Sequence, residues 1–175
     1  MNIFKKVLFV LFTFTISFSI LGCGYKPSSY YAKEELSGNV FINVLVNLED
    51  PKNTVLVKDS INRILIQKLD SQLVTKESLA DVVMNLSVNS VQMDVLQYDT
   101  SGYNKLYKAT INIKIDYFKK SENKRRSFNL DGEYDFSIDN GTTISDSQRF
   151  DAIKAASDKA LEEFISKVAV SAHKK

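Results

Sequence analysis

Cys23 is the only thiol in the 175-residue chain, and His173 is its only imidazole. A lone cysteine cannot form an intrachain disulfide or a Cys-rich metal site. His173 stands close to the chain end, where termini usually fray, so we place it in a solvated tail at 173–175. The sequence contains no Gly-rich phosphate loop, no GxSxG and no HExxH. These observations predict a protein that is not an enzyme and that binds no metal or diffusible cofactor.

The chemistry expected of Cys23 depends on the residues before it. Lys5 and Lys6 precede the stretch from Val7 to Leu21, which is apolar apart from a few Ser and Thr residues. This order is typical of a secretory signal. The apolar run is shorter than the roughly 20 residues that a membrane-spanning helix needs. The sequence therefore predicts a signal peptide at 1–22 and no permanent transmembrane helix.

Ile20, Leu21, Gly22 and Cys23 resemble the lipobox of bacterial lipoproteins, in which a hydrophobic and a small residue precede the modified cysteine. The resemblance implies diacylglycerol on Cys23, signal cleavage after Gly22 and acylation of the new amino terminus. Two or three acyl chains hold a protein stably on a membrane. Gly24 stands where aspartate would favour inner-membrane retention, so we expect an anchor in the outer membrane, on the periplasmic side. The alternative is an ordinary signal peptide with a chance cysteine at its end.

The mature chain is nearly neutral. The sequence has 23 basic and 21 acidic residues, and removal of Lys5 and Lys6 with the signal leaves 21 of each. Such a chain has no global basic field, so we predict no nucleic-acid partner. About 153 residues remain after the signal, which is the size of one ordinary domain.

Residues 23–38 precede the predicted domain and show no sustained periodicity. Pro27 and the bounding glycines Gly24 and Gly38 are typical of irregular backbone. We predict a lipidated N-terminus and a tether that spans about 50 Å when fully extended. The alternative is that the tyrosines of this segment dock onto the domain or onto a partner, and the sequence does not decide between these arrangements.

Strand and helix patterns alternate in the next part of the chain. Val40 to Val46 is rich in β-branched residues and predicts a strand that is apolar on much of both faces. Apolar residues from Val57 to Leu73 recur at spacings of three and four, which indicates an amphipathic helix of about four turns. The alternation from Val82 to Val95 changes phase near Asn89. Because a one-residue shift turns every side chain to the other face, we predict a β-bulge there.

The clearest alternation lies in two later strands, at 107–117 and 128–138, each with one apolar and one polar face. A hairpin loop is predicted at 99–102 and a turn at 139–141. Ser145 and Gln148 fit the capping box of a final helix, in which Glu163 and Lys167 are spaced to pair.

The element order is therefore β, α, β, β, β, α. A sheet with one apolar face and two amphipathic helices bury each other's apolar surfaces when both helices lie on that face. We predict an α+β fold in a single domain at 39–172. This fold is a two-layer sandwich with a four-stranded mixed sheet and two helices on one face, and the position of the first strand in the sheet stays open.

One surface feature is a basic cluster at the predicted tip of the last hairpin. Residues 119–126 contain five cations and one acid. The cations are Lys119, Lys120, Lys124, Arg125 and Arg126. Such a cluster suits phosphate or carboxylate groups, because arginine offers paired donors and lysine a mobile point charge. The alternative is a solubilising loop that blunts the end of the sheet.

A second surface feature surrounds the neighbouring hairpin loop. Its residues are Tyr98, Tyr103, Leu106 and Tyr107. Tyrosine is favoured at protein interfaces, which makes these residues candidates for partner contact. Burial at the end of the sheet explains them equally well.

The assembled pattern resembles the lipopolysaccharide-assembly lipoprotein family (LptE), the small partners of the outer-membrane barrel LptD. The resemblance is carried by Gly22 to Pro27, the strand Val40 to Val46, the helix opening Asn53 to Ile64, the strand entry Ala80 to Val83, and the closing helix. It implies a lipoprotein that plugs the LptD barrel, assists its assembly and contacts lipopolysaccharide. A polar sheet face opposite the helices suits a water-lined barrel interior. From charge alone, we expect the five cations of the basic cluster to contact lipopolysaccharide.

A different function remains open at this point. Lipid-tethered β-α-β modules also activate periplasmic cell-wall synthases, which they reach through a tether like 24–38. The two functions differ in the partner that they require, a β-barrel in the first and a synthase in the second.

Overall fold

The computed structural model describes residues 3, 27–45, 51–98, 100, 102–138 and 143–173. The predicted signal peptide and lipobox, with Ile20, Leu21, Gly22 and Cys23, lie outside these residues. Part of the predicted hairpin loop, Asp99 and Ser101, and the turn predicted at 139–141 also lie outside them.

Three α-helices and five strands make up the described part of the chain. In chain order they are α1 (Ser28–Leu36), β1 (Gly38–Leu45), α2 (Pro51–Leu69), β2 (Ser71–Leu73), β3 (Val82–Tyr98), β4 (Asn104–Lys119), β5 (Lys124–Ser137) and α3 (Asp146–His173). Two short 3₁₀ helices, Glu77–Leu79 and Lys120–Glu122, precede β3 and β5 respectively.

The five strands form one mixed sheet in the order β2-β1-β3-β4-β5. β1 runs parallel to both of its neighbours, whereas β3, β4 and β5 are successively antiparallel. The first strand, whose position in the sheet the sequence does not predict, is thus an interior strand. The prediction of an α+β sandwich is confirmed.

The sequence predicts four strands and two helices, which is one strand and one helix fewer than the described residues form. β2 has only three residues, too few for an alternating pattern, and it contains Leu73, which the apolar spacing predicts as part of the preceding helix. That helix ends at Leu69, because Asp70 takes a left-handed backbone conformation with φ of 57°. The extra helix, α1, lies where the sequence predicts a tether. It lacks a long apolar stripe, but it buries Ala32 and Leu36 completely in the core.

The predicted β-bulge is confirmed. The register of β3 against β4 shifts between Val88 and Ser90, so that Asn89 has no partner position on β4. The extra residue compensates for the phase change in the sequence. Apolar residues before it, such as Val88, and after it, such as Met93, therefore both contribute to one core.

The helices pack on one face of the sheet, as predicted. Gly132 in β5 shows how closely they approach it, because a Cβ atom at this position would lie 1.9 Å from the carbonyl oxygen of Ala156 in α3. The aromatic rings of Tyr117, Phe128 and Phe164 pack together between the layers, with centroids 5.7 to 6.4 Å apart.

The start of α3 follows the predicted capping box. The Ser145 backbone N–H donates to Gln148 Oε1 at 3.1 Å, and the Gln148 N–H donates to Ser145 Oγ at 3.3 Å. The predicted pair of Glu163 and Lys167 is also formed, at 3.0 Å. Among the residues that the structure describes, no helix is both long enough and apolar enough to cross a membrane.

Candidate functional site

The sheet face opposite the helices is polar and carries a chain of hydrogen bonds across three strands. Asn89 Nδ2 in β3 donates to Asn112 Oδ1 in β4 at 2.6 Å. Asn112 Nδ2 in turn donates to Asp131 Oδ1 in β5 at 2.6 Å. This face, which we call the polar sheet face, is therefore held by side chains as well as by the backbone ladder.

Further pairs extend the polar sheet face toward both of its sides. Asn43 Nδ2 in β1 donates to Asn85 Oδ1 in β3 at 3.1 Å. Lys108 Nζ lies 2.7 Å from Glu133 Oε2, and this hydrogen bond, with the carboxylate charge, raises the pKa of Lys108. The surface thus combines neutral amides with paired charges.

A buried carboxylate joins the helical layer to the end of β4 and the beginning of β5. Glu35 in α1 is 2% exposed. It accepts hydrogen bonds from the Tyr117 hydroxyl at 3.2 Å, from Lys119 Nζ at 3.3 Å and from Arg126 Nη1. Burial and the nearby Glu35 carboxylate raise the pKa of Tyr117 far above its usual range, so its hydroxyl stays a neutral donor.

We call Glu35, Tyr117, Lys119 and Arg126 the Glu35 cluster. This cluster contains two of the five cations that the sequence predicts to contact lipopolysaccharide. The side chains of Lys119 and Arg126 are only 17% and 14% exposed, because both turn toward Glu35. They face the helical layer of the sheet and balance a buried charge.

The other three cations are exposed at the turn between β4 and β5, which we call the basic tip. Lys120 Nζ donates to the Glu77 carbonyl oxygen at 2.8 Å. The Arg125 guanidinium lies over the Phe118 ring, 5.8 Å from its centroid. In the described part of the chain, no carboxylate forms an ion pair with Lys124 or Arg125.

A cavity of about 390 Å³ opens beside Arg125. It is lined by Glu77, Val83, Asn85, Asp116, Tyr117, Phe118 and Arg125. One cation, Arg125, and two carboxylates, Glu77 and Asp116, line its wall, so it offers no purely cationic surface for a phosphate. No group of three or more metal-ligating side chains occurs among the described residues.

The four candidate partner-contact residues differ in their exposure to solvent. Tyr98 and Tyr103 are 59% and 54% exposed at the far end of the sheet. Leu106 is half-buried, and Tyr107 is buried, with its ring stacked on Phe136 at 5.7 Å between centroids. Of these four residues, Tyr98 and Tyr103 are the ones that are exposed at the surface.

Glu35 is the residue that sequence reasoning missed. Its partner Tyr117 is 82 positions away and Arg126 is 91 positions away. Within its own segment, Glu35 is one of two adjacent glutamates in a short polar stretch. The only signal that could have found it was the excess of unpaired cations at the predicted hairpin tip.

Solved structures resemble this chain at low sequence identity, and two of them share its fold. A protein of Caulobacter crescentus CB15 named as a lipoprotein is 11% identical, with a TM-score of 0.55 over 84% of this chain and 99% of its own. CT253 of Chlamydia trachomatis is 12% identical, with a TM-score of 0.52 over 79% of this chain and 99% of its own. Rare lipoprotein B of Shewanella oneidensis is 15% identical, with a TM-score of 0.48 over 74% of this chain and 95% of its own.

The sequence itself matches a family described as lipopolysaccharide-assembly, LptE, over residues 43–168. No curated protein matches the chain significantly. The family match extends from β1 to the last turns of α3 and so includes the polar sheet face and the basic tip. The chain therefore belongs to the lipopolysaccharide-assembly (LptE) family.

Proposed function

We propose that this chain is an outer-membrane lipoprotein, anchored through Cys23 on the periplasmic side, that partners an LptD-like β-barrel. In this proposal it occupies the barrel lumen as a plug and assists the assembly of lipopolysaccharide and its transport to the cell surface. Membership of the lipopolysaccharide-assembly family supports the pathway. Binding and positioning, without catalysis, are the proposed activities.

The polar sheet face is the observation that carries the barrel partnership. Lumens of outer-membrane barrels are polar, so a surface that enters one must carry hydrogen-bonding groups. The chain from Asn89 through Asn112 to Asp131 places such groups across three strands. β4 has 16 residues, which at about 3.3 Å each extend for about 50 Å. This length exceeds the roughly 25 Å apolar band of such a barrel.

The basic tip supplies the proposed contact with a phosphate-bearing lipid. Lys120, Lys124 and Arg125 are exposed, whereas Lys119 and Arg126 are engaged by Glu35. The sequence predicts that all five cations contact lipopolysaccharide. We propose this contact for Lys120, Lys124 and Arg125 alone. Their replacement by Gln should weaken lipid binding and reduce its salt dependence, because fewer charges are then screened.

The geometry favours this function over the activation of a cell-wall synthase. That alternative requires a long reach from the membrane, which the sequence assigned to residues 24–38. α1 takes nine of those residues into the folded layer. Between Cys23 and Ser28 the chain can span only about 18 Å.

Affinity purification of the chain from detergent-solubilised membranes tests the partnership. We expect a large β-barrel to copurify. Recovery of a cell-wall synthase without a barrel would contradict the proposal. Depletion of the chain gives an independent measurement, in which surface lipopolysaccharide should fall while cell-wall synthesis stays unchanged.

A further inference from the structure

We propose that the basic tip rests on the leaflet that holds the acyl chains of Cys23, where it binds the phosphate groups of anionic phospholipids. This inference rests on the lipid anchor in the proposed function. It adds the phospholipids of the anchoring leaflet to the lipopolysaccharide that the proposed function assigns to the tip.

The length of chain before α1 limits where the lipid can lie. The bonds from Tyr117, Lys119 and Arg126 to Glu35 hold the end of α1 beside the tip. Seven residues separate Glu35 from Ser28, which is about 10 Å along a helix. Five more residues lead back to Cys23 and add about 18 Å at most. A lipid attached to Cys23 can therefore be anchored no farther than about 30 Å from Glu35.

The opposite end of the sheet is beyond this reach. From Tyr117, which contacts Glu35, thirteen residues of β4 lead to Asn104, a distance of about 43 Å at about 3.3 Å per residue. The exposed tyrosines Tyr98 and Tyr103 lie at that far end. The anchor thus cannot lie at that far end, and the basic tip is the end of the sheet within its reach.

The charges at this end suit an anionic leaflet. Three acids near the tip are paired, because Glu35 and Glu122 contact Lys119 and Asp116 contacts Lys114. Glu77 lies in the wall of the cavity beside Arg125. Lys120, Lys124 and Arg125 stay exposed. A cation close to an anionic membrane surface contributes about a five-fold gain in binding. Acyl chains together with a basic patch form a two-signal attachment, which is more stable than one chain alone.

The test uses the full-length lipidated protein in vesicles of phosphatidylethanolamine and phosphatidylglycerol. Ser121→Cys places a single label at the tip, and Thr100→Cys places one near the far end, both at exposed positions. The thiol of Cys23 is blocked by its lipid in this proposal. We expect a quencher on lipid headgroups to quench the label of Ser121→Cys and to leave that of Thr100→Cys unchanged.

A charge variant and a matched control separate tip contact from general attraction. Replacement of Lys120, Lys124 and Arg125 by Gln should reduce the docked population about 100-fold, which would abolish quenching at position 121. Replacement of the exposed Lys52, Lys58 and Lys154 by Gln removes the same charge from the helices and should leave quenching intact.

Three outcomes would overturn the inference. One is equal quenching of the Ser121→Cys label in uncharged phosphatidylcholine vesicles. Another is quenching only after lipopolysaccharide is added, which would assign the tip to lipopolysaccharide and leave the proposed function standing. The third is quenching of the Thr100→Cys label in place of the tip label. A failure of the proposed function would be measured separately, because the barrel would then be absent from the affinity purification.

Discussion

The buried Glu35 in α1 and the partly buried Arg126 in β5 form an ion pair between residues 91 positions apart. The pair holds α1 against the sheet, although the sequence predicts this segment to be a tether. It also removes one of the predicted lipid-binding cations from the surface. A buried carboxylate is tolerated only with such partners, since an unpaired charge in the interior is strongly destabilising.

Loss of the Glu35 charge should destabilise the fold. We expect Glu35→Gln to lower the free energy of unfolding by about 2 kcal/mol or more, because Lys119 and Arg126 would be left partly buried without a counter-charge. Chemical denaturation measures the change. Glu34→Gln alters the exposed neighbour on the same helix and should change stability by less than about 0.5 kcal/mol. Equal effects of the two variants would contradict the role of the Glu35 cluster.

Gly132 should not tolerate a side chain. In Gly132→Ala the new Cβ atom would lie 1.9 Å from the Ala156 carbonyl oxygen, so α3 must move away from β5. We expect a loss of about 3 kcal/mol or more, or failure to fold. Gly102→Ala is the matched control. Its Cβ atom would meet nothing within 4 Å, so only the strain of its φ of 82° remains, at about 1 kcal/mol.

Stability should fall at alkaline pH through Tyr117. The folded protein raises the pKa of its hydroxyl above the ordinary value near 10, so the protonated form is favoured in the folded state. This contribution is complete below pH of about 10 and is lost as the pH rises toward the folded-state pKa. Unfolding followed from neutral to alkaline pH measures it. A smaller alkaline loss in Tyr117→Phe than in the parent is expected, and an identical loss would exclude Tyr117 as its source.

The bulge predicts an unusual tolerance to deletion. Removal of Asn89 leaves a regular ladder in β3, because this residue has no partner position on β4. We expect a cost of about 1 kcal/mol, chiefly from the lost hydrogen bond to Asn112. Deletion of Gln92 would instead turn Met93 away from the core and should cost more. Thermal or chemical unfolding of both deletions compares them directly.

The polar sheet face should be required for partner binding more than for folding. Asn112→Leu removes the central link between Asn89 and Asp131. We expect copurification of the barrel to drop several-fold, since an apolar side chain leaves polar lumen groups unpaired, while the free energy of unfolding changes by about 1 kcal/mol or less. Asn62→Leu, at a half-buried position on α2, is the control and should keep the barrel bound. Loss of barrel binding in both variants would contradict an interaction of the barrel with the polar sheet face.

Local patterns predicted much of the fold correctly. The alternation in β4 and β5, the capping box at Ser145 and the phase change at Asn89 each arise from neighbours within a few residues, so they can be seen in the sequence. The sequence does not predict β2 and α1, because these elements depend on residues far away in the chain. A three-residue strand and a nine-residue helix have too few residues for a periodic signal, and contacts with distant elements stabilise them.

The sequence by itself determined the α+β class, the bulge and the two faces of the sheet, because side-chain periodicity follows directly from backbone geometry. Only the tertiary structure decided which cations are available to a ligand. Lys119 and Arg126 belong to the same basic cluster as Lys124 and Arg125, yet only the first two meet Glu35. A buried charge selects its partners by position in space, and that position exists only after α1 has packed on the sheet.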